Sequence, residues 1–280
     1  MNTQIRELQT STSGIPATDG DGVKMTRVIG SPELNMLDPF LLFDAFESDQ
    51  AQDYIGGFPS HPHRGFETVT YLLAGRMRHK DSAGHEGVIE PGGVQWMTAG
   101  KGIVHSEMPE QENGLLQGFQ LWVNLPASEK MNEPAYQEFP VNDIPVERLE
   151  NGTVIHVISG QTNQGTQGPV NNNYVNPIYM DVSLPAGQLF EQTLNTSHNA
   201  FIYVIDGQLS VGELHNSLTS REMGILGDGD QVSVVAEETS HFLLVAAQPL
   251  NEPVARGGPF VMNTKAEVLQ AFEDFQNNRF

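Results

Sequence analysis

The sequence predicts an all-β protein built as two similar β-barrels with a short C-terminal helix. Three observations lead there. Short apolar runs alternate with Gly, Pro, Asn and Asp along most of the chain, the pattern of many short strands joined by turns. One half of the chain echoes the other. A single segment near the C-terminus carries helical signals instead.

The strand candidates are residues 67–75 (ETVTYLLAG), 118–126 (GFQLWVNLP), 153–160 (TVIHVISG), 178–187 (IYMDVSLPAG), 200–212 (AFIYVIDGQLSVG) and 241–247 (HFLLVAA). Each is four or more residues rich in β-branched and aromatic side chains and bounded by turn formers. The echo pairs residues 68–78 with 201–211, each a strand, a small-residue turn and a second strand. It also pairs residues 90–97 with 226–234, each a Gly-rich turn entering a strand. Two copies of one barrel explain both.

The polar stretch 126–145 is the expected boundary. It gives an N-terminal domain over 1–135 and a C-terminal domain over 136–280 that includes the helix. Residues 1–20, rich in Thr, Ser, Gly and Asp, read as a loose arm, and residues 161–176 as a surface loop. In the helix, Thr264 and Glu267 form a capping box, with Val268, Leu269, Phe272 and Phe275 expected on one face.

Composition narrows the function classes. At 280 residues the chain buries a sizeable core without staples. There is no cysteine, so disulfides, thiolate metal sites and cysteine nucleophiles are excluded. Fourteen basic residues stand against 35 acidic ones, a net charge of −21 that repels a phosphate backbone and disfavours direct nucleic-acid binding. The N-terminal stretch has no apolar run, so neither a secretory signal nor a membrane span is expected, and the cytoplasm is the expected location.

Two pairs of residues carry the chemistry. His61 and His63 are spaced by two around Pro62, and His105 and Glu107 are spaced by two further on. On an extended strand, side chains at i and i+2 share a face, so each pair offers two ligands to one side. Facing one another across a narrow barrel, they form a site of three nitrogens and one oxygen. That set suits Fe, Mn, Co, Ni, Cu or Zn, and suits Mg or Ca poorly.

The remaining histidines have no partner two residues away. His79 and His85 lie in a polar turn and are expected in solvent; His156 is expected inside the fold; His215 and His241 receive no role. Phe58, Trp96, Phe119 and Trp122 are candidate pocket walls, with Gln120 on the same strand face as Trp122.

Residues 56–75 (GGFPSHPHRGFETVTYLLAG), with Pro91-Gly92 and His105, resemble the two cupin motifs. More narrowly, residues 37–46 (LDPFLLFDAF), 95–109 (QWMTAGKGIVHSEMP), 118–126 and the tail 259–280 resemble the pirin family over nearly the whole chain. The resemblance implies a bicupin fold whose N-terminal barrel binds iron, most simply Fe(II), through His61, His63, His105 and Glu107. It implies that Glu67, a ligand in many other cupins, is not one here. In the second barrel only His198 remains of a possible pair, so no metal is expected there.

Some bacterial relatives of this type are quercetin 2,3-dioxygenases. The resemblance therefore implies a ring-cleaving dioxygenase acting on a flavonoid-like small molecule and O2, with Glu107 as the catalytic base. The alternative it implies is an iron-dependent redox sensor that binds and regulates a protein partner. Other small-molecule chemistry, such as isomerisation, is open to the same fold.

Overall fold

The computed structural model describes residues 3–280. Strands dominate, and the chain divides into two compact units.

The first unit comprises Ile15–Val141 and Leu250–Phe280. Its seven-stranded antiparallel sheet runs in the order Ala135–Phe139, Val94–Thr98, Phe66–Ala74, Leu116–Asn124, Phe40–Ser48, Val23–Ile29, Ile15–Asp19. A four-stranded sheet completes it in the order Phe58–His63, Ile103–Pro109, Met77–Asp81, Glu86–Ile89. The central strands Phe40–Ser48 and Phe66–Ala74 are buried along most of their length, so their apolar runs are nearly continuous. Met77–Asp81 alternates buried and exposed positions, as a strand covered on one face must.

The second unit is built on the same plan. Its seven-stranded sheet is ordered Leu8–Thr12, Met223–Leu226, Asn199–Asp206, Ser240–Ala247, Ile178–Leu184, Val154–Ser159, Val146–Arg148. Its four-stranded sheet is Leu189–Thr193, Gln231–Ala236, Gln208–Val211, Asn216–Thr219. Its interior is an apolar cluster that includes Phe190, Val232, Val234, Phe242 and Leu244.

The chain ends differ from the sequence reading. Residues 3–20 are not a loose arm: Leu8–Thr12 forms an edge strand against Met223–Leu226, and Ile15–Asp19 pairs with Val23–Ile29. Arg6, 1% exposed, anchors this entry by donating from Nη1 to the carbonyls of His198 and Gly227. The units meet in sequence at Val141/Asn142, and the segment from Leu250 onward belongs to the first unit, not the second.

The helix Lys265–Gln276 therefore packs on the first unit, against Phe260–Met262 and Ala255–Gly257. Its capping box is present in both directions: the Thr264 hydroxyl accepts from the Glu267 backbone, and Glu267 accepts from the Thr264 backbone. Val268 and Ala271 form the buried face, with Phe272 touching the Phe260 ring edge-on. Leu269 points outward at 69% exposure, because the contact stripe is set by Ala271 rather than by the larger side chain.

Candidate metal centre

The strand Phe58–His63 lies antiparallel to Ile103–Pro109, with His61 opposite His105 and His63 opposite Ile103. The register shifts between His105 and Glu107, so the second pair of the motif is displaced relative to the first strand. Period-two alternation then turns His61, His63 and His105 to one side.

The three imidazoles converge. One ring nitrogen from each lies within 4.8 Å of the others. His61 Nε2 and His63 Nε2 are 3.0 Å apart. The Nδ1–H of His61 donates to the Pro59 carbonyl at 2.8 Å, which leaves Nε2 as a lone pair aimed at its neighbour. His105 is 2% exposed, and neither of its ring nitrogens has a partner. A buried imidazole without partners beside two others is costly by itself, and a shared cation satisfies all three. The donor set thus fits a divalent transition metal.

Burial reinforces the fit. Desolvation, then the neighbouring imidazoles His105 and His61, holds His63 well below the usual histidine range. Desolvation pushes His105 down to about 3. Both are therefore neutral near pH 7, the form that binds metal.

Glu107 is 3% exposed and lines the same cavity as His61 and His63, but it is not one of the convergent group. Its Oε1 accepts from the Thr70 hydroxyl at 2.9 Å. Burial pushes its carboxyl up, partly offset by His61 and the Thr70 hydrogen bond. Glu67, also buried, accepts from the Thr98 hydroxyl at 2.8 Å.

The cavity measures about 580 Å³, within the range of small-molecule sites. Apolar walls come from Met25, Leu42, Phe46, Phe58 and Trp122, with Gln120 and Arg256 among the polar groups. The Trp122 ring meets His63 edge-on at 5.2 Å. Of the aromatic wall candidates, Phe58 and Trp122 line the cavity. Trp96 and Phe119 are core instead, with Phe119 stacked on Phe43 at 5.6 Å.

The segment from Leu250 onward shapes the His63 end. Arg64, 3% exposed, pairs through Nη1 with Asp274 at 2.8 Å and donates from Nε to the Lys101 carbonyl. Gly65 sits at φ +89°, and a Cβ there would lie 2.0 Å from the Val261 carbonyl oxygen, so only glycine lets that strand pass.

His79 corrects the sequence reading: it is 3% exposed, with Nε2 2.8 Å from Glu138 and its ring stacked on Tyr136. It stands opposite Glu107 in the register of the four-stranded sheet. The signal was available, since Met77, His79 and Asp81 alternate with charged residues. His85 stays at the surface, bonded through Nδ1 to Asp81 at 3.0 Å. His241 is likewise engaged, its Nε2 2.5 Å from Asp181.

A pirin family model matches residues 22–123, and a model of the pirin C-terminal cupin domain matches residues 179–280. The chain belongs to the pirin family. It is 53% identical over 276 residues to a pirin-like protein of Caulobacter vibrioides, covering 99% of each chain. It is 45% identical to human pirin, covering 93% of this chain and 89% of that one. A crystal structure of quercetin 2,3-dioxygenase from Acinetobacter baumannii superposes with a TM-score of 0.90 at 35% identity, covering 99% of each chain. The two units of this pirin are thus its two cupin domains.

The cupin pairing also identifies what stands in the second unit where the first has its histidines. Leu189–Thr193 and Gln231–Ala236 hold the same sheet positions as Phe58–His63 and Ile103–Pro109. They turn Phe190, Val232 and Val234 into an apolar core. His198 lies outside both strands, in the turn before Asn199–Asp206.

Proposed function

We propose that His61, His63, His105 and Glu107 hold one divalent transition metal, Fe(II), and that this centre is a dioxygenase opening flavonols of the quercetin type. The observation that carries the reading is the convergence of the His61, His63 and His105 imidazoles beside an aromatic-walled cavity that Glu107 also lines. The similarity to a quercetin 2,3-dioxygenase over 99% of both chains supports the substrate class.

The metal, when bound at His61, His63, His105 and Glu107, would supply Lewis-acid chemistry toward the flavonol and O2. Glu107 takes the 3-hydroxyl proton. Thr70 fixes the orientation of Oε1 for that transfer. Phe58 and Trp122 flank the planar rings and exclude water. Atoms balance as flavonol plus O2 giving a depside plus one carbon monoxide.

The test is O2 uptake with quercetin by the iron-loaded protein, before and after chelation, with Glu107→Gln beside it. Uptake that disappears on chelation, and falls at least about 100-fold in the variant, supports the reading. No uptake with any flavonol by fully loaded protein overturns it.

A further inference from the structure

The cavity carries two arginines in a chain that has only 14 basic residues against 35 acidic ones. They are not equivalent. Arg27 is saturated by carboxylates: Nε and Nη2 donate to the two oxygens of Asp44 at 2.9 and 2.8 Å, and Nη2 also donates to Asp19 at 2.9 Å. Arg256 has no such partner within ion-pair distance among the described residues. Its Nη1 donates to the Leu41 carbonyl at 3.1 Å, and its guanidinium carbon lies 5.0 Å from the centre of the Trp122 ring. Burial and then the neighbouring Arg27 charge lower its pKa, only partly offset by Asp44, which is already held by both nitrogens of the Arg27 fork.

Arg256 is thus a cation with open donors held at a defined place. Stacking on Trp122 and the bond to Leu41 restrict the side chain before any ligand arrives. The Trp122 ring is itself 5.2 Å from the His63 ring. The guanidinium carbon lies no farther from His63 than the two distances together, within the length of a two-ring aromatic ligand. Arg256 lines the same cavity as His61 and His63, so one ligand of that length can meet both ends.

We propose that Arg256 is a specificity-determining residue that, among the flavonol-type ligands the cavity admits, favours those bearing a carboxylate on the ring remote from the three imidazoles, neutral quercetin-type flavonols binding without this contact. The planar fork matches a carboxylate with two parallel hydrogen bonds, which a phenol or a bare ring does not offer. The chain is strongly acidic and Asp19, Asp44 and Glu107 also line the cavity, so an anion is retained there only by a cation whose donors are open. The inference rests on reading the cavity as a substrate site, but not on turnover.

The experiment measures binding to zinc-loaded protein, which is redox-inert, by quenching of tryptophan fluorescence and by calorimetry. The probes are 3-hydroxyflavone and its 4′-carboxylate. The native protein is expected to bind the carboxylate about tenfold more tightly, roughly 1.4 kcal/mol. In Arg256→Gln the ratio is expected to fall to about one, and in Arg256→Lys to stay above one and shrink with added salt. Equal or weaker binding of the carboxylate by native protein overturns the proposal, as does a preference that survives Arg256→Gln. If that variant loses the neutral probe as well, the ratio and salt dependence of Arg256→Lys decide. O2 uptake tests the dioxygenase reading separately, so the two can fail independently.

Discussion

Thr70 Oγ1 lies 2.9 Å from Glu107 Oε1 and 2.6 Å from Gln120 Oε1, so one hydroxyl touches two groups that line the cavity. A hydroxyl has a single proton. When Thr70 donates to Glu107, the Gln120 amide must turn its NH2 toward the hydroxyl oxygen. Thr70 therefore couples the orientation of Gln120 to the charge on Glu107.

Thr70→Val keeps the shape and removes that coupling. Outer hydrogen bonds to metal-site groups are typically worth about 10- to 100-fold in affinity or activity. We expect the variant to bind metal at least about tenfold more weakly, while a buried methyl in place of the hydroxyl shifts its thermal midpoint by only a few degrees. Competitive titration against a chelator of known affinity checks this. Unchanged affinity would show that Glu107 needs no positioning.

The depressed histidines make the metal-free protein acid-sensitive. His63 and His105 stay neutral when folded but take up protons near pH 6.5 when unfolded. Their contribution is present above pH 6.5 and is lost as pH falls toward the folded value, about 3 for His105. Both lower the stability of the metal-free protein progressively across that window. His241 runs the other way: burial by itself lowers its pKa, but the Asp181 hydrogen bond and the charges of Asp181 and Asp206 outweigh it and leave the pKa raised, so its contribution is present below pH 6.5 and fades as pH rises through the folded value. Denaturant midpoints of the chelated protein between pH 7 and 5 measure the sum, and His105→Gln isolates one term by flattening the slope. Equal slopes in native and variant would contradict the neutral, buried state of His105.

Lys130 is 1% exposed, and its Nζ donates to Gly65 O and Asn124 Oδ1, both at 2.6 Å, and to Val261 O at 3.1 Å. Burial pushes its pKa down to about 8. Lys130→Met leaves three buried acceptors without donors, each costing about 1 kcal/mol or more. A loss of about 3 kcal/mol in chemical denaturation is the expected result. Because Gly65 follows His63 and Arg64 in the chain, metal affinity is expected to drop as well. A change below about 0.5 kcal/mol would mean that water replaces the ammonium.

The convergence of His61, His63 and His105 was legible in the sequence, from a period of two that needs only extended backbone. Glu107 was read by the same rule, but the register shift after His105 displaces it and it lies outside the convergent group. His79 obeys the same rule but was hidden by the charged residues on either side, Arg78 and Lys80, which occupy the exposed face of that strand. Contacts that span the chain were not legible. Nothing in LQTST announces that Leu8–Thr12 pairs with Met223–Leu226, because the pairing partner is more than two hundred residues away and three of the five residues are exposed. Likewise, the helix signals gave its start and cap but not the sheet it covers, which is chosen by Val268, Ala271 and the Arg64–Asp274 pair.

Metal stoichiometry separates the two cupin domains. The strands of the second unit that match the ligand strands bury Phe190, Val232 and Val234, and His198 lies in a turn outside them with Nδ1 unpartnered. One ion per chain is expected by elemental analysis of purified protein. His198→Ala is expected to leave that ratio unchanged, whereas His63→Ala and His105→Ala lower it to a small fraction. Because the ion binds only the folded chain, saturating it at about 100 times its dissociation constant should add about 2.7 kcal/mol to the stability of the native protein. The same addition should leave the His63→Ala midpoint unmoved. Two ions per chain, or a metal-dependent midpoint that survives His63→Ala but not His198→Ala, would move the centre out of the first barrel.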